Sequence, residues 1–273
     1  MKEGWVNINT LHLHFVEWGT PGRPTLLLLH GVRGNARIWD LLAHELEGPY
    51  RLIALDQRGF GDSQHPTPPA YHLSDYLADL EGFVNALGLG PFVLAGHSMG
   101  ALHALAYAAS HPLQVQGLIY VDIAPRPPDS QRQFLQEAGA RPIREFTTLQ
   151  EALEVERRIS PGLPQKVLEH LVVNNLSRQK DGKWRYKFDR EALRHFDQYD
   201  LWPLVPLVSC PALIVRGSQS DVMGEGAAKE MVRQMPRARL VEVPGARHLV
   251  FLDQPQAFAS AVQGFLLGLP LAL

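Results

Sequence analysis

Five residues, Gly96-His97-Ser98-Met99-Gly100, set a serine between two glycines. The apolar run Phe92-Val93-Leu94-Ala95 precedes them and a run rich in alanine and leucine follows, so the serine falls where a strand gives way to a helix. In a turn this sharp the serine takes a strained backbone conformation, tolerable because the flanking glycines carry no side chain to collide. The strain lifts Ser98 Oγ clear of the sheet at the amino end of the next helix, where free N–H groups favour developing negative charge. The chemistry that suits such a group is nucleophilic acyl transfer.

A serine hydroxyl is a weak nucleophile and needs a base, and the base needs a group to orient it. The chain holds twelve histidines, so position must choose among them. His248, in Pro244-Gly245-Ala246-Arg247-His248, follows the last strand-like run and precedes the last helical one, where it can reach over the carboxyl edge of a sheet. His97 lies inside the elbow facing away from Ser98, and His12, His14, His103 and His111 belong to an edge hairpin and the helix after the elbow. Two carboxylates end strand-like runs between the serine and the histidine: Asp122 and Asp221. Asp221 is favoured as the acid because its loop is next in strand order to the histidine loop; Asp122 is the rival, with capping of a turn as its alternative role. The oxyanion of the reaction needs two N–H donors. Met99, directly after the nucleophile, and Val32, in the loop His30-Gly31-Val32-Arg33-Gly34-Asn35, are the candidates, with His30 bracing that loop.

Other motifs carry less. Asp56-Gln57-Arg58-Gly59-Phe60-Gly61 lacks a third glycine and opens no helix directly, which argues against a dinucleotide site. His12 and His14 share a strand face but lack nearby third and fourth ligands, so no metal is expected, and no cofactor.

The elements that must position these residues alternate along the chain. Strand-like runs at 25–30, 51–56, 92–97, 117–122, 212–217 and 239–244 are apolar without alternation, as strands covered on both faces are. Helical patterns at about 36–46, 73–88, 99–110, 224–235 and 255–267 lie between them, giving an α/β domain with crossover connections. Alternating residues around Asn9-Thr10 predict an antiparallel hairpin on the sheet edge. From about 125 to 200 the rhythm breaks: three prolines within Pro125-Arg126-Pro127-Pro128 open a segment of amphipathic helical stretches, with a turn at Asp181-Gly182. The expected organisation is core (1–124), a mainly helical lid (125–200) and core again (201–273).

Composition bounds the partners. The 273 residues are 45% hydrophobic with net charge −2, so no basic excess points to nucleic acid or anionic lipid. The single cysteine, Cys210, excludes an internal disulfide. The start of the chain has no uninterrupted apolar stretch and no window approaches a membrane span. A cytoplasmic monomer or homodimer acting on a small molecule, without stable membrane association, is the expectation.

Taken together, His30–Asn35, Asp56–Ser63, Gly96–Gly100, Arg216–Val222 and Pro244–Leu249 occur in an order that resembles the α/β-hydrolase superfamily along nearly the whole chain. The resemblance implies an eight-stranded, mostly parallel sheet flanked by helices, with the 125–200 insertion as a lid. It also implies Ser98, Asp221 and His248 as nucleophile, acid and base. Superfamily members that dehalogenate haloalkanes or hydrolyse epoxides carry an aspartate at the elbow, and Ser98 disfavours those reactions. Cleavage of carboxylic esters of small or medium acyl groups is therefore expected first. Lactone, enol-lactone or carbon–carbon bond hydrolysis on the same triad and slow-turnover ligand reception are the alternatives. Phe134, Leu153 and Trp184 are candidates for the pocket ceiling, with packing inside the lid an equally good role.

Overall fold

A computed structural model describes residues 1–271; Ala272 and Leu273, at the end of the expected second core part, lie outside the described residues. The chain begins with the expected hairpin, β1 (Lys2–Ile8) and β2 (Leu11–Trp18), paired antiparallel about Asn9-Thr10. Asn9 takes φ 54°, a conformation asparagine tolerates better than most residues, which is why the turn falls there. Then β3 (Thr25–Leu29), a 3₁₀ turn over Ala36–Trp39, α1 (Asp40–Leu46), β4 (Arg51–Leu55), α2 (Leu73–Ala86), β5 (Phe92–His97), α3 (Met99–Ser110) and β6 (Val115–Val121) follow.

After β6 the chain leaves the sheet for α4 (Asp129–Ala140), β7 (Glu145–Phe146), α5 (Leu149–Ile159), α6 (Gln165–Asn175), β8 (Leu176–Arg178), β9 (Trp184–Tyr186) and α7 (Arg190–Arg194). It returns through a 3₁₀ turn at Trp202–Leu207 into β10 (Ala212–Gly217), α8 (Glu225–Gln234), β11 (Ala238–Val243), α9 (Val250–Asp253) and α10 (Pro255–Leu266). The excursion is mainly helical, as its amphipathic patterns indicate, but it also holds a small antiparallel sheet in the order β7-β9-β8. Gly182, at φ 83°, turns the chain between β8 and β9. These strands of two or three residues are too short to leave a period-2 signature in sequence.

The main sheet has eight strands in the order β1-β2-β4-β3-β5-β6-β10-β11, parallel from β4 to β11. Its unbroken apolar strands follow from coverage on both faces. Along β3, Leu27 and Leu29 face the core shared with α2, α3 and α8, while Leu26 and Leu28 face the one shared with α1 and α10. All four are essentially inaccessible, and burying a leucine side chain contributes about 1.5–3 kcal/mol. Parallel direction puts the carboxyl ends of β3, β5, β6, β10 and β11 along one edge, the edge from which Gly31, Ser98, Asp122, Ser218 and His248 emerge. Among the described residues no helix is long and apolar enough to cross a membrane.

Candidate active site

The elbow has the strain its sequence implies. Ser98 stands between β5 and α3 at φ 53° and ψ −124°, outside the regions favoured by residues with a side chain. Its flanking glycines are forced by contact. A Cβ on Gly96 would collide with the Gly100 carbonyl, and one on Gly100 would lie 2.5 Å from the carbonyl oxygens of both Leu29 and His30. The Ser98 N–H donates to Val121 O at 2.9 Å, tying the nucleophile to the end of β6.

The next residue after Val121 is Asp122, and here the structure departs from the expected acid. His248 Nδ1 lies 2.9 Å from Asp122 Oδ2, and Asp122 is completely buried. A carboxylate can only accept, so Nδ1 donates and Nε2 is left as the acceptor. Asp221 is exposed and makes no side-chain hydrogen bond or ion pair among the described residues. Its loop instead supplies donors to Asp122: Gly217 N–H to Oδ1 at 3.0 Å and Ser220 Oγ–H to Oδ2 at 2.5 Å. The pairing of His248 with Asp221 is therefore corrected to a pairing with Asp122. The physical reason is strand order. β6 adjoins β5, which carries the serine, whereas β10 is one strand further out, and Asp122, at φ 55°, turns its carboxylate across the sheet edge.

His97 holds the same loop from the other side. Its Nε2–H donates to His248 O at 3.0 Å, and the two rings lie 4.5 Å apart between centroids. Burial pushes the His97 imidazole well below its usual pKa, so it stays neutral, and its Nδ1 has no hydrogen-bond partner among the described residues. It is a tether for the histidine loop rather than a base.

The loop after β3 closes over the elbow: a Cβ on Gly31 would lie 2.9 Å from both Ser98 Cβ and His97 Nδ1. Neither Val32 N–H nor Met99 N–H has an acceptor among the described residues. A buried chain of hydrogen bonds braces this loop from below. Gln57 N–H donates to His30 Nε2 at 3.0 Å, which puts the His30 proton on Nδ1, and that proton goes to Gly31 O at 2.8 Å. Gln57 Nε2 donates to His30 O at 2.7 Å, while its Oε1 accepts from His103 Nδ1 at 2.6 Å. His103 stacks on Tyr76 and its Nε2 accepts from Tyr199 OH at 3.2 Å. The bracing role expected of His30 thus extends to Gln57, inside the Asp56–Ser63 segment, and to His103, neither of which is expected in it from sequence. Asp56 adds a second brace, accepting from Ala36 N–H, Asp62 N–H and His14 Nδ1. His14, Asp56 and Asp62 bring one donor atom each within 4.8 Å of one another, but those of His14 and Asp56 are engaged with each other.

Burial lowers the pKa of His30, His97 and His103, that of His103 to about 3. An unfolded chain binds protons on these rings from about pH 6.5 downward while the folded one does not, so folding stability falls as pH drops below that value. For His103 alone the loss at pH 4.5 is about 2–3 kcal/mol. Urea unfolding at pH 7.5 and pH 4.5 is expected to show at least that loss, with a shallower pH slope in His103→Gln; equal slopes would count against a neutral His103.

Of the proposed ceiling residues, Phe134 lines a cleft between the 125–200 excursion and the loops after β3 and β4. Leu153 packs in the core beside α6, and Trp184 sits half-buried in β9 against the same cluster. The cleft, of about 1330 Å³, takes in Arg33 of the loop after β3 and side chains from α4, α5, β9 and α7.

A sheet of this order with a serine elbow, a strand-end carboxylate and a returning histidine matches a known family. The family model described as "Alpha/beta hydrolase family" covers residues 26–261. The chain belongs to the α/β-hydrolase family. Among its relatives is a 2-(acetamidomethylene)succinate hydrolase of Mesorhizobium japonicum, 28% identical, with 96% of this chain and 94% of that protein covered. A solved structure of an enzyme of that name superposes with a TM-score of 0.88 at 27% identity, over 97% of this chain and 98% of the other. An sn-1-specific diacylglycerol lipase of Mus musculus is 30% identical over 89% of this chain and 81% of its own length. An esterase of Mycobacterium tuberculosis is 30% identical over 92% and 85%, and its solved structure matches with a TM-score of 0.83 at 27% identity, over 97% and 91%. This α/β-hydrolase is therefore a hydrolase, with the eight-stranded, mostly parallel sheet of its family.

Proposed function

We propose that this hydrolase cleaves carboxylic esters of small or medium acyl groups through an acyl-enzyme, with Ser98 as nucleophile, His248 as base and Asp122 as the acid that orients it. The observation that carries the reading is the buried Asp122–His248 pair at 2.9 Å, set beside a serine held at φ 53°. Ser98 N–H is bonded to the residue preceding Asp122, and the His97 ring next to Ser98 packs on the His248 ring, so the three groups share one corner of the sheet edge. The relatives named as esterases and a lipase support the same reaction class.

In the first step His248 Nε2 takes the Ser98 proton as Oγ attacks the ester carbonyl. Asp122 keeps the imidazole in the tautomer that leaves Nε2 unprotonated and then stabilises the imidazolium. Val32 N–H and Met99 N–H, without acceptors among the described residues, are the donors for the tetrahedral oxyanion; losing one such donor typically costs about 10²–10³ in rate. The alcohol departs with the proton from His248, and water repeats the sequence on the acyl-enzyme. The 125–200 segment serves as the lid whose underside holds the acyl or alcohol part.

Steady-state hydrolysis of p-nitrophenyl butyrate, with a fluorophosphonate probe as its complement, tests this. Turnover that stops as the probe attaches to Ser98 is the expected result. Labelling with a single turnover and no steady state would mark a ligand receptor instead, and absence of labelling in folded protein would remove Ser98 as the nucleophile.

A further inference from the structure

The cleft beneath the lid segment is charged out of proportion to the chain. Eight cationic side chains, seven of them arginine, line it against three carboxylates, in a protein of net charge −2. Several of these cations have structural partners: Lys187 pairs with Asp62 at 2.6 Å, Arg185 with Asp181 at 2.9 Å and with Glu145, and Arg194 with Glu191 at 3.0 Å. Arg190 donates to the carbonyls of Ala138 and Gly139 at the end of α4. Arg141, Arg144 and Arg158 have no carboxylate partner among the described residues, and all three are exposed to the cleft.

Arg144 lies over the Phe146 ring at 5.5 Å, and cationic groups that line one concave surface together raise a positive field there that acts on whatever enters. Phe134, Ile143 and Ile159, all largely exposed for apolar residues, line the same cleft. A surface that combines apolar and guanidinium groups fits a ligand with an aliphatic stretch and an oxyanion at its end, since the planar fork of arginine matches carboxylate and phosphate geometry.

The cleft's lining includes none of Ser98, Asp122, His248, Val32 and Met99; its approach to them is through Arg33, the neighbour of Val32. Arg33, on its wall, is held over the rings of Tyr186 and Phe188 and bonded to the buried Glu156 at 3.3 Å. It is two residues from Gly31, so the two Cα atoms are at most about 7–8 Å apart, and Gly31 abuts Ser98. An ester at Ser98 whose far end runs past Arg33 would enter the cationic cleft.

Resting on the serine-ester reading above, we infer that the substrates are anionic esters, their far end a carboxylate or phosphate group received by Arg141, Arg144 and Arg158. The test compares ethyl hydrogen adipate, ethyl 6-phosphonooxyhexanoate and neutral ethyl hexanoate by pH-stat, at low salt and in 0.5 M NaCl, alongside p-nitrophenyl butyrate. At low salt kcat/KM for at least one anionic ester is expected to exceed that for ethyl hexanoate by about tenfold, the size of effect focused charge produces, and the ratio to fall toward one at high salt. Which of the two is preferred identifies the anionic group. The triple variant Arg141→Gln/Arg144→Gln/Arg158→Gln is expected to lose the preference without salt; the salt titration of the wild type stands whether or not that variant folds. Equal hydrolysis of neutral and anionic esters would overturn the inference and leave the ester reading intact. A preference that survives in the triple variant would overturn its assignment to these arginines. Failure to cleave any ester, p-nitrophenyl butyrate included, would remove the underlying reading and the inference with it.

Discussion

Ser98→Ala is expected to lower kcat on p-nitrophenyl butyrate by about 10⁵–10⁶-fold, the loss seen when the nucleophile of a serine triad is removed. The argument rests on what the substitution leaves behind. Alanine keeps the Cβ that already fits at φ 53°, and Ser98 Oγ makes no hydrogen bond to protein among the described residues, so the fold loses nothing it uses. The elbow glycines, the Val32 and Met99 N–H groups and the Asp122–His248 pair all stay in place. What remains is binding and oxyanion stabilisation, which sustain a rate roughly 10³–10⁴ above water without the nucleophile. Circular dichroism and a melting temperature within a few degrees of wild type are expected alongside the loss. A variant that keeps a tenth or more of the wild-type kcat would show that the ester is cleaved elsewhere.

How far the sequence revealed this site depended on how local each signal was. Strands buried on both faces announce themselves as unbroken apolar runs, and all six of the expected core strands fall within two residues of their observed bounds. The elbow is legible because its constraint is steric and falls on adjacent residues: Gly96 and Gly100 are excluded from bearing a Cβ by the chain's own carbonyls. His248 could be placed because only one histidine lies between the last strand and the last helix. Of the bracing set His30, Gln57 and His103 only the first is expected in that role: the three come from three separate segments, and although His30 and Gln57 lie in recognisable motifs, no local pattern shows that the three side chains meet. The pair of short strands β8 and β9 was half-visible, through Asp181-Gly182, as a turn without the strands it joins. Arg141, Arg144 and Arg158 belong to no motif, and only the fold shows that they line one cleft.

The acid is the case in which sequence order misled, and it sets the sharpest comparison of variants. Asp122→Asn is expected to reduce kcat about 10⁴-fold, and Asp221→Asn to leave it within about twofold. Asp122 accepts three hydrogen bonds, from His248 Nδ1, Gly217 N–H and Ser220 Oγ. An asparagine there has a single carbonyl oxygen and must turn either that or its NH₂ toward the imidazole. With the oxygen toward Gly217, the NH₂ faces Nδ1 and forces it to become the acceptor; the proton moves to Nε2, which then cannot receive the serine proton. With the oxygen toward His248, the Gly217 N–H loses its acceptor at a cost of about 1–3 kcal/mol, which shows as lowered stability rather than lowered kcat. Measuring both kcat and the urea midpoint separates the two arrangements. Asp221, exposed and without a partner among the described residues, gives an amide in its place no contact to disturb. If the ranking came out reversed, Asp221 would have to swing onto His248 when substrate binds, displacing a buried carboxylate held by two loop donors. The isolated protein gives no energetic reason for that exchange, because Asp122 would be left buried and charged with its histidine partner gone.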